Sequence, residues 1–468
     1  MLPLSSNSRV IVVGGGLAGM AAAVALESVG IAVTLLESRR SLGGRAGSYE
    51  DPQTGEQLDN CQHVLLGCCT NLLDFYDRLN VRHLIRFERT IRFRDSAGRS
   101  HDLFGVPGLP APTHLGLSFL TFGALTWAER IAYSHAMLAM LRLGKSGRKG
   151  LANVSFGQWL DEHRQPASLV QKMYEPVLVG ALNEDCRRAS AEFAIQVFQD
   201  AMLANSRGYV MGVPACPLGK LYEKIPCRDV RLGARVAEVR FAGNCAVGVL
   251  LQGGEELSAD AVILATNYHA VQRWVPENLA ATDARFAGLD RLQSVPILGV
   301  HFWFDQPAMK DSHAALITGP LQWLFRKDEE GRELHGVISA AREWMDIPKE
   351  QYWPRFEAQL KAVLPEARGA KLVRMVPVLE KRATYSPVPG VDSFRPEQAP
   401  PMGGIANLFL AGDYTKTGWP ATMEGAVRSG YLAAQAVRRQ LSPDMLGQSF
   451  VVPDLHVQWP ARLLGLGN

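Results

Sequence analysis

Residues 9–38, RVIVVGGGLAGMAAAVALESVGIAVTLLES, restrict the possible fold more than any other part of the chain. Arg9 to Val13 is a short β-branched apolar run of the kind buried in a parallel sheet. An alanine-rich helix from Leu17 to Val29 follows it, and then a second such run from Ala32 to Leu36. Gly14, Gly16 and Gly19 stand between strand and helix in GxGxxG spacing. That spacing allows a tight turn, close approach of the backbone to a pyrophosphate, and close packing of helix on sheet. The free amides of the first helical turn, at Leu17 and Ala18, then face the phosphates. Glu37 closes the second strand, with Ser38 after it, where a carboxylate accepts hydrogen bonds from an adenosine ribose. Strand, glycine turn, helix, strand and acid in this order predict a dinucleotide site.

Two further segments complete that site. In SLGGRAGSYE, Gly43 and Gly44 supply a backbone bend, and Arg45 supplies a guanidinium able to neutralise a pyrophosphate. Near the other end, NLFLAGDYTKTGWPATMEGAVRSGYLAAQAVRRQL reads as a buried strand, a Gly412-Asp413 turn and a helix beginning near Met423. The positive end of that helix suits the edge of a flavin ring in its anionic reduced form, and Asp413 suits ribityl hydroxyls.

Composition narrows the classes. The 468 residues are 47% hydrophobic and 20% charged, which is ordinary for a globular chain with room for two domains. Forty-nine Lys and Arg against 46 Asp and Glu leave a net charge of +3, with no long basic run, so nucleic acid is not an expected partner. Seven cysteines without a CxxC pair, behind a start without signal-peptide character, predict a reduced, cytoplasmic protein. From Leu103 to Ala128 no charged residue occurs. Pro107, Pro110 and Pro112 break this stretch, so it is too short in helix to span a bilayer; it reads either as a buried helix or as an interfacial one.

The N-terminal fingerprint, the GGR and AGDYT...PATMEGAVRSG resemble the FAD-dependent amine oxidase and phytoene desaturase superfamily. Residues 229–267, DVRLGARVAEVRFAGNCAVGVLLQGGEELSADAVILATN, resemble its inserted hairpin and return strand. The resemblance implies that the backbone at Val236 holds the adenine, that Thr266, Ala421, Met423 and Ala426 join the cofactor site, and that FAD is bound without a covalent link. It implies an α/β fold: a discontinuous Rossmann-like FAD-binding domain of the glutathione-reductase and amine-oxidase type, plus an α+β substrate domain with a mixed or antiparallel sheet. The boundaries expected are 1–100, 205–290 and 400–442 for the FAD domain and 101–204 and 291–399 for the substrate domain. Residues 443–468 are an apolar tail that could lie on the body or on a membrane.

Within the superfamily, DNCQHVLLGCCTNLLDFYDRLNV, YEPVLVGALNED and TGWPATMEGAVRSG look most like the squalene-associated branch, the hydroxysqualene dehydroxylases of bacterial hopanoid synthesis. That likeness implies a long isoprenoid substrate with an allylic hydroxyl, an electron donor to the flavin that the sequence does not specify, and upstream squalene-pathway synthases as neighbours. It also implies peripheral contact, through 103–128, with the inner face of the cytoplasmic membrane.

The run LDNCQHVLLGCC places Cys61, His63, Cys68 and Cys69 close together, but no second ligand pair lies downstream, so a metal site is not expected. The cysteines read as small apolar residues before the helix TNLLDFYDRLNV. His63 either sits near the flavin or is an ordinary structural histidine. A general acid for hydroxide departure has four candidates: Glu175, expected to be buried in an apolar helix face that raises its pKa, then His63, Asp185 and Tyr385. Phe302, Phe304, Trp323 and Phe325, on alternating strands, are candidate cavity wall. Three other readings stand beside this one: a carotenoid-type desaturase, an amine oxidase using Lys327, and a non-enzymatic prenyl-chain escort.

Overall fold

The computed structural model describes residues 8–442, 447 and 449–467. Its first layer is a five-stranded parallel sheet in the order Asp229–Leu232, Ala32–Glu37, Arg9–Val13, Ala261–Leu264, Leu408–Leu410. Segments from both ends and the middle of the chain therefore meet side by side. The apolar run Val10–Val13 is buried because strands flank it on both edges and helices cover it. The helix Leu17–Glu27 is buried along almost its whole length, which explains its alanines: it lies between the sheet and the helix Met423–Leu441. The two helices cross backbone to backbone at Gly430, where a Cβ would fall 2.2 Å from the Ala18 carbonyl oxygen. An antiparallel hairpin unit, Val236–Ala242, Cys245–Leu251 and Glu256–Ser258, sits where the inserted hairpin is expected.

A second sheet has seven strands in the order Leu372–Tyr385, Ser294–Phe304, Glu333–Ile338, Trp323–Arg326, His313–Leu316, Thr90–Arg94, Ser100–Phe104. Every pairing is antiparallel except His313–Leu316 with Thr90–Arg94, so the sheet is mixed. Thr90–Arg94 lies before residue 100, on the cofactor side of the expected boundary, yet it pairs into this second sheet.

The four aromatics expected to wall one cavity are split between two faces. Phe302 and Phe304 pack with Trp344, Tyr352 and Phe356 beneath the helix Tyr352–Val363. Trp323 and Phe325 stack on each other on the opposite face, against Met211 and Val213. Strand alternation separates them, because residues two apart share a face and the register between strands decides which face that is.

The uncharged stretch ends one strand, turns, and forms the helix Gly116–Thr121. A capping box of Thr126 and Glu129 then starts the helix Trp127–Lys149. Glu129 is buried, and it accepts hydrogen bonds from Ser168 Oγ at 2.6 Å and Lys172 Nζ at 2.9 Å. Among the described residues no helix is long and apolar enough to cross a membrane.

Candidate flavin site

The glycine turn has the geometry its spacing predicts. Gly14 adopts φ 112°, and a Cβ there would meet the Ala265 carbonyl at 2.6 Å; a Cβ on Gly19 would meet the Gly14 oxygen at 1.9 Å. Above Gly16 the space is open, with no atom within 4 Å of an added Cβ. Gly16 caps the helix Leu17–Glu27 without any side-chain hydrogen bond, so the amides of the first turn, at Leu17 and Ala18, are left for an anion. The GGR segment docks on this turn: Gly43 N donates to the Gly15 carbonyl at 2.9 Å, and Gly43 and Gly44 take φ 107° and 59°. Asn60 Nδ2 holds that bend through the Gly44 carbonyl at 3.3 Å.

Glu37 is buried and turned inward. Its carboxylate accepts from Gly15 N at 2.7 Å, from Arg39 N at 2.7 Å and from Ser38 Oγ at 3.1 Å. It thus braces the glycine turn, a role that the ribose reading alone did not contain. Val236, at the start of the hairpin, is buried opposite Leu251.

The Gly412-Asp413 turn meets the GGR directly. Arg45 forms a bidentate pair with Asp413, Nη2 to Oδ1 at 2.6 Å and Nη1 to Oδ2 at 3.0 Å, and Nη1 also reaches the Ala383 carbonyl at 2.5 Å. Residues assigned separately to pyrophosphate and to ribityl hydroxyls therefore stand together. Thr266 Oγ1 and the hydroxyls of Tyr385 and Tyr414 are buried without a protein partner near this turn; Thr266 touches both Gly14 and Gly412. Thr422 caps the helix Met423–Leu441 through Gly425 N at 3.1 Å, with Ala421 buried before it and Met423 and Ala426 half-exposed at its first turn.

An uncapped helix N-terminus with open space above it, a buried acid at the second strand end, an Arg–Asp pair and orphaned hydroxyls fit a dinucleotide that runs from Glu37 to the helix at Met423. Among these elements FAD would be held by Gly14, Gly16 and Gly19, Glu37, Arg45 and Asp413.

The four candidate acids do not form one constellation. Glu175 begins the helix Glu175–Leu182 but stands at the surface, not in the apolar face expected of it, because the π-turn Val170–Tyr174 rotates the register just before it. Partial desolvation, and then Asp185, still raise its pKa. Asp185 is exposed and accepts from Arg187 N at 2.8 Å. Tyr385 is buried, its hydroxyl pKa driven up by burial, with its ring under the Arg395 guanidinium at 5.1 Å. His63 lies near the Arg45 end of the site: burial, and the cations Arg45 and Lys327, lower its pKa, while Nδ1 bonds the Cys61 carbonyl at 2.9 Å. Lys327 contacts Asp59 at 3.4 Å and Gln62 at 3.0 Å. Among the described residues no group of three or more His, Cys, Asp or Glu could hold a metal.

One residue has no sequence signal. Arg395, in a proline-bracketed loop, is fully buried and donates to the Thr415 carbonyl and to the Trp419 carbonyl at 2.8 Å, fixing the loop that carries Asp413.

Fold and site together define an FAD-dependent oxidoreductase of the amine-oxidase and carotenoid-desaturase type. The model of the flavin-containing amine oxidoreductases matches residues 17–438, and the chain belongs to that family. It is 26% identical to the 15-cis-phytoene desaturase of Synechococcus elongatus over 92% of this chain and 95% of that one. It is 28% identical to the zeta-carotene desaturase of Synechocystis sp., over 92% and 97%. A putrescine oxidase structure aligns with a TM-score of 0.67 at 18% identity, covering 92% of this chain and 98% of that one. An oxidoreductase from Methanosarcina mazei aligns at 0.68 and 17%, covering 92% and 100%; these two likenesses show the fold alone.

Proposed function

We propose that the chain acts on a long isoprenoid and that its reaction is the reductive dehydroxylation of hydroxysqualene to squalene. When bound and reduced, FAD supplies a hydride. The C–O bond to the hydroxyl breaks and a C–H bond forms; the hydroxyl leaves as water with one proton, so an acid must serve the oxygen. The observation that carries this reading is Glu175, whose carboxyl is biased towards its protonated form by desolvation and Asp185, on a helix that Trp323 ties to the second sheet through the Pro176 carbonyl at 3.0 Å. Full-length similarity to enzymes named for phytoene and zeta-carotene supports an isoprenoid substrate.

A second reading, oxidative desaturation of a carotenoid precursor, is favoured by His63. Burial keeps it neutral, the form that can accept the proton lost when a C–H bond is oxidised. One experiment separates them. Anaerobic, chemically reduced holoenzyme is mixed with hydroxysqualene, and oxidised holoenzyme with phytoene. Squalene formation with flavin reoxidation supports dehydroxylation; flavin reduction by phytoene with a new conjugated product, and no squalene, overturns it.

A further inference from the structure

The largest exposed apolar side chains do not scatter over the surface. Leu109, Leu117, Leu120, Trp127 and Ile131 all come from the uncharged stretch and the helix that follows it, with Leu117 at 54% and Trp127 at 66% exposure. Phe119 stacks on Tyr133 at 5.2 Å, so the helix Gly116–Thr121 is fastened to Trp127–Lys149 by its inner face while Leu117 and Leu120 point out.

The C-terminal segment arrives at the same place from more than 300 residues away. Gln458 Oε1 accepts from Ala111 N at 2.6 Å and from Ser206 N at 3.1 Å, and a Cβ at Gly465 would lie 3.0 Å from Arg142 Cα. Pro460, Ala461 and Leu466 of this segment are buried, while Trp459 at 67% and Leu463 at 78% stand outward beside Leu464.

We infer that these two segments form one docking platform for an anionic lipid bilayer. Contiguous exposed apolar side chains of this size mark an interaction site. Charge selects the occupant: between residues 103 and 150 the one acid, Glu129, is buried and bonded to Lys172, whereas Arg142 and Lys149 are exposed, and Arg462 is the charge of the tail helix. Cations beside outward Trp and Leu suit a headgroup layer above acyl chains, and no exposed acid in these segments opposes it. A second copy of the chain would bring the same cations face to face. The platform is independent of which isoprenoid the flavin handles.

The test uses FAD-loaded full-length protein and vesicles of phosphatidylcholine with or without phosphatidylglycerol. Wild type is expected to co-sediment with the anionic vesicles, at least tenfold more weakly with zwitterionic ones, and to show tryptophan quenching by lipids brominated in the upper acyl chain. Leu117→Asp with Leu120→Asp, and separately Leu463→Asp, are expected to reduce sedimentation at least tenfold at unchanged FAD content. Arg142→Glu with Arg462→Glu, which disturbs no apolar packing, is expected to abolish the preference for anionic vesicles. Absence of wild-type sedimentation and quenching overturns the proposal, as does a dimer that both sets of Asp variants dissolve without any effect on vesicles. Wild-type binding by Leu463→Asp removes the tail from the platform and overturns the two-segment form.

Discussion

The bidentate contact between Arg45 and Asp413 turns the assignment of the cofactor site into a quantitative experiment. If the two act on FAD as one unit, removing either should cost about as much as removing both. A hydrogen bond to a charged group contributes ~1.5–3 kcal/mol. The Arg45 side chain is 38% exposed, which calls for a solvent discount, so the pair is worth about 2 kcal/mol. That corresponds to a roughly 30-fold rise in the Kd for FAD in Arg45→Ala and again in Asp413→Ala. Because each mutation breaks the same pair, Arg45→Ala with Asp413→Ala should again give roughly 30-fold, not the roughly 1,000-fold of independent sites. The assay is titration of apoprotein with FAD, followed by quenching of flavin fluorescence. Additive losses would show that each residue grips the cofactor by itself, and unchanged affinity in all three variants would put FAD elsewhere.

Acid precipitation should leave the flavin in the supernatant, because no cysteine follows Cys245 and the C-terminal flavin segment has no thiol for a cysteinyl link; yellow pellets would contradict this. Glu37→Ala should purify with little FAD and melt lower, since Gly15 N loses a buried acceptor at a cost of ~1–3 kcal/mol; calorimetry with flavin quantitation checks both. His114 and His313 are buried, and burial lowers each pKa to about 4. Their unfolded forms protonate near 6.5, so stability is complete above that pH and falls as pH drops towards 4, by about 3 kcal/mol for each histidine. Melting curves from pH 7.5 to 4.5 should show the fall, and His114→Phe should flatten it; a pH-independent melting temperature would refute the argument.

What could be read from sequence follows from how local each cause is. The strand Arg9–Val13, the glycine turn, Glu37 and the helix at Met423 declare themselves through period, spacing and backbone demand, all within a few residues. The pairing of Arg45 with Asp413 and the burial of Arg395 depend on a fold that brings residues hundreds of positions apart into contact, and no local pattern encodes that. Glu175 fails for a different reason: an apolar helix was inferred as one continuous face, and a π-turn at Val170–Tyr174 rotated its acid outward. Phe119 shows the same limit on a smaller scale. It belongs to the uncharged stretch, but it packs inward on Tyr133, while its neighbours Leu117 and Leu120 do not.

The adjacent cysteines at 68 and 69 find their explanation in the flavin helix. Cys69 occupies the N-cap of the helix Thr70–Arg78 and makes no capping hydrogen bond, a poor choice for an end that leaves amides unpaired. The missing cap comes from Glu424, wholly buried in the first turn of Met423–Leu441, whose carboxylate accepts from Leu72 N at 2.8 Å and from Asn71 N at 3.2 Å. Arg428 holds that carboxylate from the other side at 2.6 Å. The negative charge is thus shared by the N-terminal ends of two helices, where the backbone dipoles of both favour it. With capping supplied from across the interface, positions 68 and 69 are free to be small and apolar. Cys68 is buried, its thiol pKa pushed up by its contact with Cys69 and by burial, which suits packing and opposes nucleophilic or metal chemistry. The helix that follows the His63 segment is therefore positioned by the same element that closes the flavin site, so a change at Glu424 should disturb both together.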